Sequence, residues 1–240
     1  MSNKSLKFKP HKIIWDIKKI SRVWDYYSSS DNDYFSKTAG NSIIKFVKKK
    51  IPLQGKVLDF GCGTGLLIEK LLKMKIYTGG FDLSDSSLDV VKNRLGANPF
   101  FLGAFYSSTF SSPMEENYFD VVFFIETIEH LLPEQMDFVL SELYRIIKKE
   151  GYLVVTSPNM EDLKKRKVIC PECGCIFHRK QHISSFSTSS MNASMKKAGF
   201  STVFCKPVLF SVSRITWLRR FFVKLTREIM PNLLYIGIKE

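Results

Sequence analysis

Acidic and histidine side chains stand close together at residues 126–130, which read Glu-Thr-Ile-Glu-His and follow a strongly apolar run. On a helical turn, Glu126 and Glu129 would share one face, with His130 close by. Two carboxylates and an imidazole can hold a divalent metal ion, and they can also transfer protons near neutral pH. A second interpretation stays open, in which Glu126 only lines a pocket and His130 packs or orients a ligand.

A cysteine–histidine segment occupies residues 170–182 and reads CPECGCIFHRKQH. Cys170 and Cys173 have Cys-x₂-Cys spacing, and His178 and His182 form a His-x₃-His pair. These ligand types suit tetrahedral zinc, although the connection between the pairs is far shorter than in a zinc finger. The segment is therefore either a compact zinc clip or a loop of reduced thiols from which His182 alone faces the site.

Glycines follow a strand-like run in the stretch VLDFGCGTG, residues 57–65. Glycine disfavours regular structure, so Gly61, Gly63 and Gly65 indicate a place where the backbone approaches a ligand closely. No Gly-Lys-Ser/Thr follows, which excludes the phosphate loop of nucleoside triphosphatases. Asp82 ends the next predicted strand, about twenty residues after the glycines, where a carboxylate can accept hydrogen bonds from ribose hydroxyls.

The elements that must position these residues alternate between two periodicities. Helices are predicted at 66–72, 87–95 and 136–149, the last with an apolar stripe that contains Phe138 and Leu143. Strands are predicted at 56–60, 76–81, 99–102, 119–125 and 152–156, and an antiparallel pair at 201–204 and 233–238. The sequence thus predicts an α/β fold with a Rossmann-like, doubly wound, seven-stranded sheet that is mostly parallel and has an antiparallel edge strand.

The motifs Val57–Gly65 and Gly80–Ser84, with the runs 119–125 and 151–159, resemble the class I S-adenosylmethionine-dependent methyltransferases, in particular the ubiquinone-pathway O-methyltransferase type. The resemblance spans residues 40–205 and implies S-adenosyl-L-methionine as cofactor. It implies that the glycines flank the methionine part, that Asp82 binds the ribose and that Leu83 lies beside the adenine.

The resemblance also has a departure after the third strand, where the family often has an acidic residue near the adenine amine. Ala104 stands there, so backbone groups of Ala104 and Phe105 are expected to take that part. The full set of predicted cofactor-binding residues is Asp59, Gly61, Cys62, Gly63, Gly65, Asp82, Leu83, Ala104, Phe105 and Glu126.

The Glu-x-x-Glu-His pattern looks like that of ubiquinone-pathway O-methyltransferases and small-RNA 2′-O-methyltransferases, in which such residues bind a divalent metal. In the RNA enzymes a later segment supplies another histidine, and His182 could do so here. The predicted catalytic residues are therefore Glu129, His130 and His182. Two metal sets are predicted as alternatives that compete for His182: zinc on Cys170, Cys173, His178 and His182, or magnesium or another divalent ion on Glu126, Glu129 and His130.

The charge balance is basic, with 36 Lys and Arg against 23 Asp and Glu and a net charge of +13. The excess indicates either an anionic partner, such as nucleic acid or a lipid surface, or simply a lysine-rich surface. Residues 214–230 mix aromatic and basic side chains, so they could lie on an anionic membrane or pack as an ordinary helix. The chain shows no signal peptide and no spanning apolar run, which predicts a cytoplasmic protein, at most peripheral to the inner face of the membrane.

The predicted organisation is an N-terminal helical cap, residues 1–50, and a methyltransferase domain, residues 51–240. That domain carries a Cys/His-rich insert at 160–186 and an amphipathic insert at 207–231. The predicted function is O-methylation of a small-molecule, glycan or lipid-linked acceptor. Two alternatives remain: an RNA ribose 2′-O-methyltransferase, and a non-catalytic partner subunit that only binds the cofactor.

Overall fold

The computed structural model of the chain describes residues 8–29, 34–210 and 231–240. The predicted membrane-contacting segment 214–230 lies outside these ranges, as does most of the predicted insert 207–231. Among the described helices, none has both the length and the apolar character needed to cross a membrane.

The described residues form ten strands and six α-helices. The strands are β1 (His11–Lys12), β2 (Lys56–Phe60), β3 (Tyr77–Asp82), β4 (Phe101–Tyr106), β5 (Phe119–Ile125), β6 (Ile147–Pro158), β7 (Lys167–Ile169), β8 (Cys175–His178), β9 (Phe200–Val208) and β10 (Asn232–Lys239). The helices are α1 (Ile17–Tyr27), α2 (Phe35–Val47), α3 (Leu66–Leu72), α4 (Asp85–Leu95), α5 (Pro133–Ile146) and α6 (Thr188–Lys197).

The main sheet has seven strands in the order β4-β3-β2-β5-β6-β10-β9. Strands β2 to β6 pair in parallel, whereas β10 runs antiparallel to both of its neighbours, β6 and β9. Apolar clusters cover both faces of the sheet, so the central strands are buried on both sides, as their almost continuous apolar sequence predicts. The predicted Rossmann-like, doubly wound fold is confirmed.

Several predicted boundaries differ from the structure. The strand predicted at 99–102 lies at 101–106, and the helix predicted to run to residue 149 ends at Ile146. The chain is already extended at Ile147, which pairs with Phe119, so Gly151 lies inside β6 and does not terminate the helix. Sheet pairing therefore overrides the local helical pattern at this junction.

A second, three-stranded sheet lies outside the main one, in the order β1-β8-β7. It joins the N-terminal segment to the Cys/His-rich insert, and the rings of Trp15 and Phe177 pack edge to face with centroids 6.2 Å apart. Helix α1 also contacts the main domain, since the Ser21 hydroxyl donates to the carbonyl oxygen of Leu83 at 3.0 Å. The division of the chain into a cap of residues 1–50 and a domain of residues 51–240 stays a prediction.

Helix α5 offers a matched test of which apolar side chains belong to the core. Leu143 is fully buried, whereas Phe138, which the sequence placed in the same stripe, is 51% exposed. We expect Leu143→Ala to lower the free energy of unfolding by about 2–5 kcal/mol, because the removed methyl groups leave a cavity. The control Phe138→Ala should cost about 0.5 kcal/mol or less. Urea unfolding followed by circular dichroism measures both, and equal losses would contradict the assignment of this helix face.

Candidate active site

A cavity of about 630 Å³ opens where β2, β3 and β5 end at the carboxyl edge of the main sheet. Its floor is made by the segments that follow these strands, which is the position where open α/β sheets bind ligands. Helix α1 closes one side with Trp24 and Tyr27, and the insert closes another with Glu161 and His182. The cavity is therefore shared by the sheet, the N-terminal segment and the insert.

The glycine loop between β2 and α3 lines the inner end of the cavity. Gly61 and Gly63 have positive φ values of 80° and 50°, a conformation that favours glycine. A Cβ atom on Gly63 would collide with the ring of Tyr34, and one on Gly61 would collide with the side chain of Thr127. The glycines thus let these two side chains pack directly against the loop where it lines the cavity.

Asp82 closes the loop from the neighbouring strand. Its carboxylate accepts the N–H of Gly63 at 2.8 Å and the N–H of Ser84 at 2.9 Å. Burial raises the pKa of Asp82, and these two N–H groups act in the opposite direction. Asp59 lies deeper, and burial together with the charge of Asp82 raises its pKa to about 8.

The predicted cofactor-binding residues divide into two groups. Six line the cavity: Gly61, Cys62, Gly63, Asp82, Leu83 and Glu126. The other four, Asp59, Gly65, Ala104 and Phe105, do not line it.

The residues away from the cavity have other surroundings. A Cβ on Gly65 would lie 2.9 Å from Val91, so this glycine lets α3 pack closely against α4. Ala104 and Phe105 are held inside β4 by pairing with β3, and Phe110, from the segment that follows β4, lines the cavity. The expected backbone contacts of Ala104 and Phe105 with an adenine are therefore not supported by their position.

The acid–histidine cluster begins directly after β5. A single 3₁₀ turn spans Ile128–His130, whereas Glu126 precedes it with a positive φ of 47°. Glu126 and Glu129 therefore do not share a helical turn, contrary to the prediction. Their carboxyl groups still influence each other, since burial and then the charge of Glu126 raise the pKa of Glu129. Burial likewise raises the pKa of Glu126, to about 7.

The three predicted catalytic residues do come together. Ligand atoms of Glu129, His130 and His182 all lie within 4.8 Å of one another, and the two imidazole rings have centroids 4.9 Å apart. Glu129 is fully buried, and neither of its carboxylate oxygens has a hydrogen-bond partner among the described residues. Burial and the neighbouring His182 lower the pKa of His130 to about 3, and burial lowers that of His182 to about 3 as well.

The insert adds a carboxylate to this cluster. Glu161 contacts Nδ1 of His182 through Oε2, and its Oε1 lies 3.7 Å from Nε2 of His178. The rings of His178 and His182 stack with centroids 4.6 Å apart. Glu161, His178 and His182 form the second group of potential metal-binding residues that the described part of the chain contains.

The predicted zinc set of Cys170, Cys173, His178 and His182 does not assemble in the described residues. The two cysteines lie at the turn between β7 and β8, whereas His178 ends β8 at its far end. Because an extended strand separates the pairs, the Cys and His side chains cannot surround one ion without rebuilding the hairpin.

Several cavity residues were not identified from the sequence. Trp24 packs edge to face on His130 with centroids 4.9 Å apart, and its Nε1 donates to the side-chain oxygen of Gln181 at 3.3 Å. Three basic residues also line the cavity: Arg166, Arg179 and Lys180. The aromatic run that contains Trp24 was the only available signal, and nothing local in it shows that α1 folds back onto the 3₁₀ turn.

Residues 58–155 match a family model described as a methyltransferase domain. The ubiquinone biosynthesis O-methyltransferase of Coxiella burnetii is 31% identical over 117 residues, which cover 48% of this chain and 49% of that relative. The chain thus spans about half the length of this curated relative.

Solved structures share the fold at low sequence identity. A Haloferax volcanii methyltransferase, solved in complex with the Trm112 methyltransferase activator, aligns with a TM-score of 0.66 at 16% identity and covers 90% of this chain and 96% of that one. Phosphoethanolamine N-methyltransferase 2 of Haemonchus contortus, solved with S-adenosyl-L-methionine, aligns with a TM-score of 0.66 at 16% identity. The alignment covers 94% of this chain and 60% of that one. A glycine loop and a strand-end aspartate meet on this sheet within the matched residues, so residues 58–155 form a methyltransferase domain of the class I, S-adenosylmethionine-dependent type.

Proposed function

We propose that this protein transfers the methyl group of S-adenosyl-L-methionine to a hydroxyl oxygen of an acceptor that carries an anionic group. The observation that carries the proposal is the position of Glu129, His130 and His182. His130 and His182 line the same cavity as the glycine loop and Asp82, and the carboxylate of the fully buried Glu129 lies within 4.8 Å of their ring nitrogens, so a cofactor and an acceptor can meet beside this cluster. The relative from Coxiella burnetii, an O-methyltransferase by its description, supports an oxygen acceptor.

The inner end of the cavity fits the cofactor. Gly61 and Gly63 line the cavity without side chains of their own, and Asp82 lines it with a carboxylate that can accept hydrogen bonds from ribose hydroxyls. When bound, S-adenosyl-L-methionine supplies a methyl group activated by a sulfonium sulfur. The protein's own part is to hold the two reactants in line and to exclude water, for which Trp24 and Tyr27 of α1 provide an apolar wall.

The outer end of the cavity has groups that can take a proton from a hydroxyl. Nδ1 of His130 faces the carbonyl oxygen of Gln181 at 3.3 Å, and Nδ1 of His182 faces the Glu161 carboxylate. Both Nδ1 atoms therefore carry the proton of the neutral ring, which leaves both Nε2 atoms with a free lone pair. The Glu161–His182 contact is of the kind that orients a catalytic base.

The same donor set suits a divalent metal ion. Two imidazole nitrogens and the unpartnered carboxylate of Glu129 are ligands that first-row transition metals accept. Glu129, His130 and His182 would hold the ion, and Glu161 would orient His182 from outside the coordination shell. An ion there would polarise an acceptor hydroxyl and lower its pKa.

The charge of the cavity wall favours an anionic acceptor. Arg166, Arg179 and Lys180 line the cavity beside the acid–histidine cluster, and guanidinium and ammonium groups bind phosphate and carboxylate. A phosphorylated small molecule, a glycan precursor or a lipid-linked acceptor would meet this requirement. RNA would meet it too, so the assay below separates these acceptors. The proposed cytoplasmic location and membrane contact through residues 214–230 rest on the sequence alone.

Asp82 gives a test of the cofactor end. We expect Asp82→Asn to weaken S-adenosyl-L-methionine binding roughly tenfold to a hundredfold, because a hydrogen bond to a charged acceptor contributes about 1.5–3 kcal/mol. Asp85→Asn, on the exposed first turn of α4, is the matched control and should bind normally. Titration calorimetry measures the affinity, and circular dichroism verifies folding. Equal affinities for the folded Asp82 and Asp85 variants would contradict the assignment.

Glu129 gives a test of the part of the site that would act on the methyl acceptor. We expect Glu129→Gln to reduce methyl transfer about 10²–10⁴-fold while cofactor binding persists. The substitution removes a charged ligand or proton acceptor and keeps the shape of the side chain. The control Glu134→Gln, on the exposed start of α5, should retain transfer.

The assay supplies radiolabelled S-adenosyl-L-methionine to separated small-molecule, lipid and RNA fractions of a cell extract. Label in an anionic small-molecule or lipid fraction supports the proposal. Label confined to RNA makes the chain an RNA methyltransferase, and cofactor binding without any transfer makes it a non-catalytic binding subunit. Wild-type rates of methyl transfer by Glu129→Gln would contradict the proposed role of Glu129 in the reaction.

A further inference from the structure

Three cysteines meet at the turn between β7 and β8. The N–H of Cys170 donates to the carbonyl oxygen of Cys175 at 2.8 Å, and the N–H of Gly174 donates to the carbonyl oxygen of Cys170 at 2.9 Å. Gly174 has a φ of +77°, which makes the tight reversal. The hairpin pairs Ile169 with Ile176. The next pair toward the turn is Cys170 with Cys175, and the side chains of a directly opposite pair lie on the same face of the hairpin.

Cys173 lies in the same turn, between the paired residues Cys170 and Cys175. The Cys-x₂-Cys-x-Cys spacing, closed by one tight turn, thus gathers three potential sulfur ligands within six residues of the chain.

A histidine from the other end of the chain reaches the same place. Strand β1 pairs in parallel with β8, which sets His11 beside Cys175, and the N–H of His11 donates to the carbonyl oxygen of Gly174 at 3.0 Å. Nδ1 of His11 lies 3.0 Å from the carbonyl oxygen of Lys9. Nδ1 therefore carries the ring proton, which leaves Nε2 free as a ligand in the arrangement common among metal-binding histidines.

We propose that the chain binds one zinc ion where β1 meets the β7–β8 turn, through His11, Cys170, Cys173 and Cys175. Three sulfurs and one imidazole nitrogen form a closed, tetrahedral, structural zinc site. The four ligand atoms lie farther from one another than those in the two clusters Glu129–His130–His182 and Glu161–His178–His182. Because Cys173 is exposed, its side chain can turn toward the other three ligands.

The zinc ion would fasten two walls of the cavity to each other. Strand β1 has only two residues, His11–Lys12, and so short a strand gains little stability from its own pairing. Helix α1, which follows β1, provides Trp24, and the insert provides His182. This site uses neither histidine of the His-x₃-His pair, so it leaves His182 free for the acid–histidine cluster. The proposal does not depend on the methyl acceptor.

The experiment measures metal in the whole 240-residue chain, purified without a metal-affinity tag, by mass spectrometry of dissolved ions. We expect the wild type to hold one zinc ion per chain more than Cys173→Ser and Cys175→Ser. His11→Ala should bind zinc more weakly in a competition with a chromogenic chelator. The matched controls Cys205→Ser, on β9, and His178→Ala should retain the full zinc content.

Substitution by cobalt(II) decides the ligand type on the wild-type chain, so the test holds even where a cysteine variant fails to fold. A strong near-ultraviolet sulfur-to-cobalt charge-transfer band with tetrahedral visible bands supports three thiolate ligands. A wild-type protein that binds no zinc after incubation with it overturns the proposal. So does a cobalt spectrum without the charge-transfer band, or zinc that is lost in His178→Ala but kept in Cys175→Ser and His11→Ala.

Discussion

The contact between the Asp82 carboxylate and the N–H of Gly63, at 2.8 Å, is the constraint on which the cofactor end of the site depends. It ties the end of β3 to the glycine loop after β2 and so fixes two adjacent strand ends relative to each other. The second carboxylate oxygen is held by the N–H of Ser84, so the side chain cannot turn away. The negatively charged Asp82 carboxylate, a hydrogen-bond acceptor, is thereby fixed at the cavity wall. It also occupies the N–H groups of Gly63 and Ser84, which would otherwise bind water.

The polar groups buried around the acid–histidine cluster lower the stability of the folded chain. Neither carboxylate oxygen of Glu129 has a hydrogen-bond partner in the part of the chain that the structure describes, and a buried polar group without a partner is destabilising by about 1–3 kcal/mol. A folded protein keeps such groups mainly at functional sites, where an ion or a substrate supplies the missing partner. The cluster is therefore better explained by what binds to it than by its contribution to the fold.

The cavity also gives a role to the segments outside the main sheet, helix α1 and the Cys/His-rich insert. The sheet and its helices supply the floor, yet they leave the site open to water. Helix α1 and the Cys/His-rich insert close it from two sides, and they meet in the contact between Trp24 and Gln181 and in the sheet β1-β8-β7. The same insert brings the basic side chains Arg166, Arg179 and Lys180 to the wall. Helix α1 and the insert thus close the cavity, the glycine loop and Asp82 come from the sheet, and under the proposed function the basic side chains of the insert would select the acceptor.

The sequence by itself determined the sheet, the glycine loop, Asp82 and the placement of Glu129 and His130 after β5, whereas His182 was added to the cluster through the family resemblance. The first group is encoded locally, because apolar runs define strands, glycines define positive φ, and strand ends on one edge of a parallel sheet must lie together. Only the tertiary structure decided what closes the cavity and which groups meet across long separations. The pairing of His11 with Cys175, the contact of Trp24 with His130 and the separation of Cys170 from His178 depend on how remote segments pack. No local periodicity carries that information, because such contacts are set by the free energy of the whole fold and not by the preferences of neighbouring residues.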